Sequence, residues 1–331
     1  MTGLLDSIPV ACVHCQAENA TSLEAIDTRE AIKCTACGEK FSIGDVFQAL
    51  YEQELLVKKS VDSVVDYATR QWTLDGGATE TRKKTEDFLH DIKFDGLLKE
   101  TAKQILIHGD AFLQVDKDWQ LLSTQRVEVK TSYGPVPGLK TPALKEDGFS
   151  LTTDKRTKSF GPEEVVHFKK TLLTEDTAYG ESMIQVTLIA LRHSREFRKA
   201  LTHVRSDFHW WGDHLEQQMR LGLGVPNFVL EKQPLGYDRR AAEFVLVAFV
   251  GEVRHLQGLL EDGFSLAFER FAGQSGLSKA PELKLRELNE RMVLIDCGFD
   301  FSEEIDGLRK LHEAGIISKE DLDRMTREYS P

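Results

Sequence analysis

The chain has 331 residues, 41% of them hydrophobic, with 42 basic and 54 acidic side chains for a formal net charge of −12. That length allows two or three modules and an ample core. The acidic balance argues against a protein that clamps phosphate backbones over its whole surface, because such binding needs Lys and Arg to release counterions.

The opening MTGLLDSIPV has neither a basic leader nor a long apolar core. The longest apolar run, residues 244–250, is far short of a bilayer span, so neither secretion nor a membrane partner is expected. Four of the five cysteines then form two pairs, Cys12-Val-His-Cys15 and Cys34-Thr-Ala-Cys37. Without a secretory leader, this spacing reads as a metal site rather than a disulfide framework. Zinc takes four tetrahedral soft ligands, and two CxxC knuckles on short hairpins supply them, so Cys12, Cys15, Cys34 and Cys37 are the expected Zn2+ ligands. Four thiolates leave no open position for water, which makes the metal structural. A module this small cannot stand on its own apolar surface, and the metal contributes folding energy. Residues 1–45 therefore resemble a zinc ribbon, with alternating residues between the knuckles in short strands. His14, inside a knuckle, is expected to face solvent. Cys297 is expected to be a small buried hydrophobe.

From Phe47 to Arg70 apolar residues recur at three- and four-residue steps, which predicts a helix. TLDGGATET breaks it. Two further helices are predicted over 81–92 and 93–108, the second closed by Gly109. DAFLQVD then reads as a strand, followed by strands at 126–131, 148–153 and 164–168, with a Pro- and Gly-rich loop in 133–144. The middle of the chain is thus α+β, with a small, mostly antiparallel sheet. His167 lies on the strand face opposite Val166 and Phe168, where a structural hydrogen bond is expected. Ser182 opens a run without proline and reads as a helix N-cap. A serine nucleophile elbow needs G-x-S-x-G, and here Met183 and Ile184 follow Ser182. Phosphate-loop, HExxH and EF-hand patterns are absent from the sequence. The expectation is a protein that is not an enzyme.

A helix predicted over 182–221 would run roughly 60 Å. Arg192, Arg195 and Lys199 share one of its faces, which fits a solvated surface, an acidic neighbouring subunit or DNA phosphates. Trp210 and Trp211 are adjacent and cannot lie on one helix face, so at least one is expected to meet another element or a partner. His209 and His214 are poorly spaced for a shared metal. After a loop with a possible strand at 228–230, a second long helix is predicted over 239–271, although 244–250 also reads as a buried strand. Strands are predicted in 283–296. Ser318 is an N-cap with Asp321 three residues on.

Three short motifs carry a family resemblance: Gly109-Asp-Ala-Phe112, then Pro162-x-x-Val165-x-His167-Phe168, then Tyr179-Gly180-x-Ser182 before a long helix. In this order they resemble the portal proteins of tailed bacteriophages, over roughly residues 50–320. The resemblance implies 46–181 as a wing-like α+β domain, 182–272 as stem helices with a short clip-like loop, and 273–331 as a tunnel-loop and wing return with a reduced crown. It also implies a closed ring of about twelve identical subunits with head-to-tail contacts, set at the portal vertex of a capsid. Such a ring forms in the host cytoplasm and functions in the virion. Its partners would be the major capsid protein, the terminase large subunit, neck or adaptor proteins, and double-stranded DNA that passes through without being trapped. An acidic wall suits that passage. The zinc ribbon stands outside the family pattern, and its place in the chain points to an outer-rim module. A second reading, from another class, is a zinc-ribbon nucleic-acid-binding regulator, which would need a basic surface.

Overall fold

The computed structural model describes residues 8–21, 31–116, 118–134, 143–153, 156–170, 178–185, 223–235, 237, 239–277 and 279–327. The cysteine module comprises two antiparallel hairpins. Strand β1 (Ile8–Ala11) pairs with β2 (Glu18–Thr21), and β3 (Ile32–Lys33) pairs with β4 (Lys40–Phe41). Helix α1 (Ile43–Gln53) follows at once. It is capped by Ser42, whose Oγ accepts from the Asp45 N–H at 3.1 Å while Asp45 Oδ2 accepts from the Ser42 N–H at 2.7 Å. Val10, Cys12, Cys34 and Phe41 pack continuously with the apolar side of α1 and so join the main core.

Where the periodicity predicts one helix from Phe47 to Arg70, the chain forms two. Glu54 leaves helical geometry (φ −100°, ψ 106°), and α2 (Leu55–Ala68) sets off in a new direction. Both α1 and α2 pack on helix α4 (Phe94–His108), and a kink lets each lay its buried stripe there. The segment read as a break also contains a strand, β5 (Trp72–Asp75), ahead of helix α3 (Thr79–Asp91).

Gly109 closes α4 in the left-handed region (φ 84°) and turns the chain into strand β6 (Asp110–Gln114). The predicted strands divide between two antiparallel sheets rather than one. β6 lies between β7 (Gln120–Leu121) and β11 (Val165–Lys169), with Phe112 opposite His167. The second sheet is β8 (Val127–Gly134), β9 (Ala143–Thr152) and β10 (Thr157–Phe160), with β9 central. β10 escapes the sequence pattern because it is an edge strand whose only buried residue is Phe160. A small core of Phe112, Leu122, Val127, Phe149, Phe160 and Val165 is shared by the two sheets.

The possible strand at 228–230 is instead a short helix, α5 (Asn227–Glu231). Helix α6 (Arg239–Gln274) settles the ambiguity at 244–250 in favour of helix and is about 54 Å long. Its stripe from Leu246 through Phe249, Val253, Leu256, Leu260 and Phe264 to Phe268 is fully buried. Aromatic rings gather at its far end, where Trp119 stacks on Phe268 at 5.7 Å and Phe94 meets Phe264 edge-on at 4.9 Å. Strand β12 (Glu282–Leu285) then returns to pair with β5, Leu283 opposite Leu74. The strand predicted at 291–296 is a helix, α7 (Glu290–Asp296), capped by Asn289. Helices α8 (Ser302–Glu313) and α9 (Lys319–Arg327) end the described chain, with Ser318 Oγ accepting from the Asp321 N–H at 3.0 Å as its N-cap role requires.

The architecture is α+β. The greater part of the helix predicted over 182–221, with Arg192, Arg195, Lys199, His209, His214, Trp210 and Trp211, lies outside the described residues. No helix among the described residues is long and apolar enough to cross a membrane.

Candidate functional site: a cysteine cluster and a backbone clasp

The two knuckles are built alike. In the first, the Cys12 N–H bonds to Ala17 O (2.9 Å) and the Gln16 N–H returns to Cys12 O (2.9 Å). In the second, the Cys34 N–H bonds to Glu39 O (2.8 Å) and the Gly38 N–H to Cys34 O (3.0 Å). Both turns pass through the left-handed region, at Gln16 (φ 62°) and Gly38 (φ 79°). The result brings four sulfurs together: Cys12 Sγ to Cys37 Sγ is 3.7 Å, Cys15 Sγ to Cys34 Sγ is 3.5 Å, and all four lie within 4.8 Å of one another. A tetrahedron of sulfurs about 2.3 Å from a central ion has edges of about 3.8 Å, so the donor set fits a tetrahedral metal. Backbone amides face the sulfurs, with the His14 N–H 3.4 Å from Cys12 Sγ and the Ala36 N–H 3.4 Å from Cys34 Sγ. The Cys37 amide, seconded by that of Ala36, draws the Cys34 thiol down to about 6. His14 is exposed and lies outside the sulfur cluster, as expected. Cys297 is fully buried, and burial pushes its thiol up to about 11.

The second feature lies where α4 ends. Here the three sequence motifs, separated along the chain, meet as one hydrogen-bonded clasp. Asp110 is fully buried and accepts the Gly180 N–H on both carboxylate oxygens, at 2.8 and 3.0 Å. Its Oδ1 also lies 2.7 Å from His167 Nε2, while His167 Nδ1 meets Glu146 Oε1 at 2.7 Å. The imidazole stacks on Phe112 at 4.4 Å. Burial alone would lower the His167 pKa, but the hydrogen bonds to Asp110 and then Glu146 outweigh it and hold it above the ordinary value. His167 shares its strand face with Val165 in the small core, whereas Val166 and Phe168 face the main core, so the alternation and the structural hydrogen bond are both as expected.

Backbone bonds complete the clasp. The Lys170 N–H donates to Gly109 O (2.9 Å), the Glu181 N–H to Lys170 O (2.8 Å) and the Met183 N–H to Leu106 O (2.9 Å). Ser182 Oγ donates to Ile107 O and accepts from the Ile184 N–H at 2.9 Å, which is capping geometry in a side chain only 1% exposed. Tyr179 Oη accepts the Val129 N–H at 3.2 Å and so ties in the second sheet. Below the clasp the Lys170 ammonium, 3% exposed, pairs with Glu252 on α6. This arrangement joins the end of α4 to both sheets and to residues 179–184, and reaches α6 through Lys170.

Periodicity and motif spacing missed Asn19, Glu146, Lys170 and Glu252 as contributors. Asp110 carried a visible signal, a carboxylate at the head of an otherwise apolar strand. Lys170 carried none, because a lysine after a strand is ordinarily solvated.

The fold so built is that of an α+β chain carrying a four-cysteine module. No protein-family model matches the chain, and no curated protein does. Solved structures share the fold. A chain in the neck of an empty gene transfer agent (GTA) particle, computed with C6 symmetry, aligns at a TM-score of 0.55 and 17% identity over 86% of this chain and 94% of that one. A chain in the neck of the native particle, computed with C12 symmetry, aligns at 0.55 and 15% over 91% and 96%. A chain from the virion of the native gene transfer agent particle aligns at 0.55 and 15% over 88% and 93%.

Proposed function

We propose that this chain is a subunit of a head–tail connector, specifically a portal ring at one capsid vertex through which double-stranded DNA is packaged and ejected. The observation that carries this reading is the convergence of the three portal-like motifs. Residues 109–112, 165–168 and 179–182 lie far apart in sequence yet form one clasp, in a fold shared along most of its length with neck chains of gene transfer agent particles. That convergence gives the motifs a mechanical purpose, fixing residues 179–183 against the end of α4 and the first sheet. On this reading the protein has no active site of its own. It acts as a wedge in a closed ring with head-to-tail contacts, present in the host cytoplasm during assembly and then in the virion. Its partners are the major capsid protein, the terminase large subunit and neck proteins. The acidic balance of −12 suits a channel wall that must not trap DNA.

The four-cysteine module takes a structural Zn2+ in this reading. Cys12, Cys15, Cys34 and Cys37 would hold it, and the ion would supply folding free energy rather than chemistry. The module then serves as an outer-rim staple to the capsid shell or to a neighbouring subunit.

Negative-stain imaging together with mass measurement of the purified chain tests the proposal. The expected particle is a ring of about a dozen copies with a central hole. A monomer at high concentration that binds duplex DNA with a steep salt dependence would overturn it in favour of a nucleic-acid-binding regulator.

A further inference from the structure

Asn19 stands between the two cysteine knuckles. It lies on β2, opposite Val10, and is only 4% exposed. Its Nδ2 donates to Ala17 O at 2.9 Å, within the first knuckle's return, and to Cys34 Sγ at 3.6 Å, in the second. Its Oδ1 accepts from the Thr35 N–H at 2.8 Å and from Thr35 Oγ1 at 3.2 Å. A side-chain amide offers two donors and two acceptor sites, and here all four are used, one within its own hairpin and three across the gap to the second. The hairpins themselves form separate two-stranded ribbons with no shared ladder. Asn19 therefore carries a polar link between them.

We propose that Asn19 is a positioning residue for a thiophilic divalent cation. It fixes the second knuckle against the first and aims an N–H at the Cys34 sulfur, so that the four sulfurs are gathered before the ion arrives. The inference rests on the metal reading of the cysteine cluster. Groups that orient ligands in this way are worth about 10- to 100-fold in metal affinity. Aspartate is the sharpest probe. It keeps the shape and the bond from the Thr35 amide, but it loses both N–H donors and sets a carboxylate against four thiolates. Alanine removes the whole link. Thr35→Ala, at an exposed position, removes only the hydroxyl bond to Oδ1.

The experiment is a cobalt titration of the full chain after metal stripping, read by thiolate-to-cobalt charge-transfer and tetrahedral d–d absorption. The expected order of affinity is wild type, Thr35→Ala, Asn19→Ala, Asn19→Asp. The last should be weaker than wild type by about 10- to 100-fold, with displaced charge-transfer bands. Thr35→Ala leaves the buried amide in place, so it reports even where an Asn19 variant fails to fold. Affinities within about twofold across all of the soluble variants, with superimposable spectra, overturn the role of Asn19 while leaving the metal centre standing. A wild-type chain that gives no tetrahedral cobalt spectrum overturns both.

Discussion

Gly109 and Gly180 lie back to back, so close that a Cβ on either would fall inside van der Waals contact with the carbonyl oxygen of the other. A Cβ on Gly109 would also stand 2.7 Å from the Glu181 nitrogen, and one on Gly180 would stand 2.7 Å from the nitrogen and 2.8 Å from the oxygen of Lys170. All of these neighbours are backbone atoms held in ladders or caps, so none can rotate away. Gly109 also sits at φ 84°, where an L side chain costs about 1–2 kcal/mol before any clash. Gly180→Ala is expected to destabilise the protein by about 3 kcal/mol or more, and Gly109→Ala by at least as much. Equilibrium urea unfolding measures it. A loss below about 0.5 kcal/mol for either would mean that the clasp is looser than described.

His167 makes the clasp sensitive to pH. Its folded pKa is raised above the unfolded value near 6.5 by Asp110 and Glu146, against the opposing effect of burial. A group raised in this way stabilises the folded state fully below its unfolded pKa, and that stabilisation is lost as pH rises through the folded pKa. Wild-type stability should therefore fall as pH rises above about 6.5, relative to His167→Gln, which cannot titrate. Thermal midpoints of both proteins from pH 6 to pH 9 check this. Two curves that stay parallel throughout that window would rule out an imidazolium at this position.

How much of this was visible in the amino-acid order depends on the range of the interaction concerned. The knuckles were legible because ligand spacing is local: Cys12 and Cys15, or Cys34 and Cys37, are held by one turn each. Helix α4 was legible from its stripe and from Gly109, a cap whose cause lies within the same turn. The break at Glu54 was not, because the apolar rhythm passes through it undisturbed and only packing against α4 requires the bend. Strand β5 was not, because its partner Glu282–Leu285 lies some two hundred residues later. The run RMVLID is short enough to suit either strand or helix, and Asn289 as N-cap decided it. Alternation correctly turned His167 toward the small core. Its two carboxylates come from β6 and β9, a pairing no local rule contains. The tryptophan pair and the basic stripe of 192–199 lie outside the described residues.

The Lys170–Glu252 pair tests whether the clasp is anchored to α6. The ammonium is 3% exposed and the carboxylate 25%, so the lysine pays most of the desolvation. Glu252→Gln leaves that charge without its counterion and should cost about 2–3 kcal/mol in urea unfolding at neutral pH, somewhat under the full buried-pair value because of the partial exposure. The double variant Lys170→Met, Glu252→Leu removes both charges and should recover most of that loss. A double variant as unstable as the single one would show that the two side chains matter for shape rather than for their charge.

Metal removal should act on the cysteine module and stop at α1. Within the hairpins the main buried apolar side chains are Val10 and Phe41, beside Cys12 and Cys34. Each large one contributes about 2 kcal/mol, whereas ordering the hairpins costs about 1–2 kcal/mol per residue in backbone entropy. On the proposed metal reading, a bound cation would supply the difference. Chelation of the wild-type chain is therefore expected to strip amide-exchange protection from residues 8–21 and 31–41. The buried faces of α2, α4 and α6 should keep theirs, since these helices pack directly on one another, with Val61, Leu98, Ile105 and Phe264 in the same core. Cys37→Ser should reproduce the chelated pattern and resist rescue by added zinc. Protection at 31–41 that survives chelation would mean the hairpins fold without an ion. Protection lost across α4 and α6 as well would mean that the continuity through Phe41 and Ile43 makes module and core one cooperative unit.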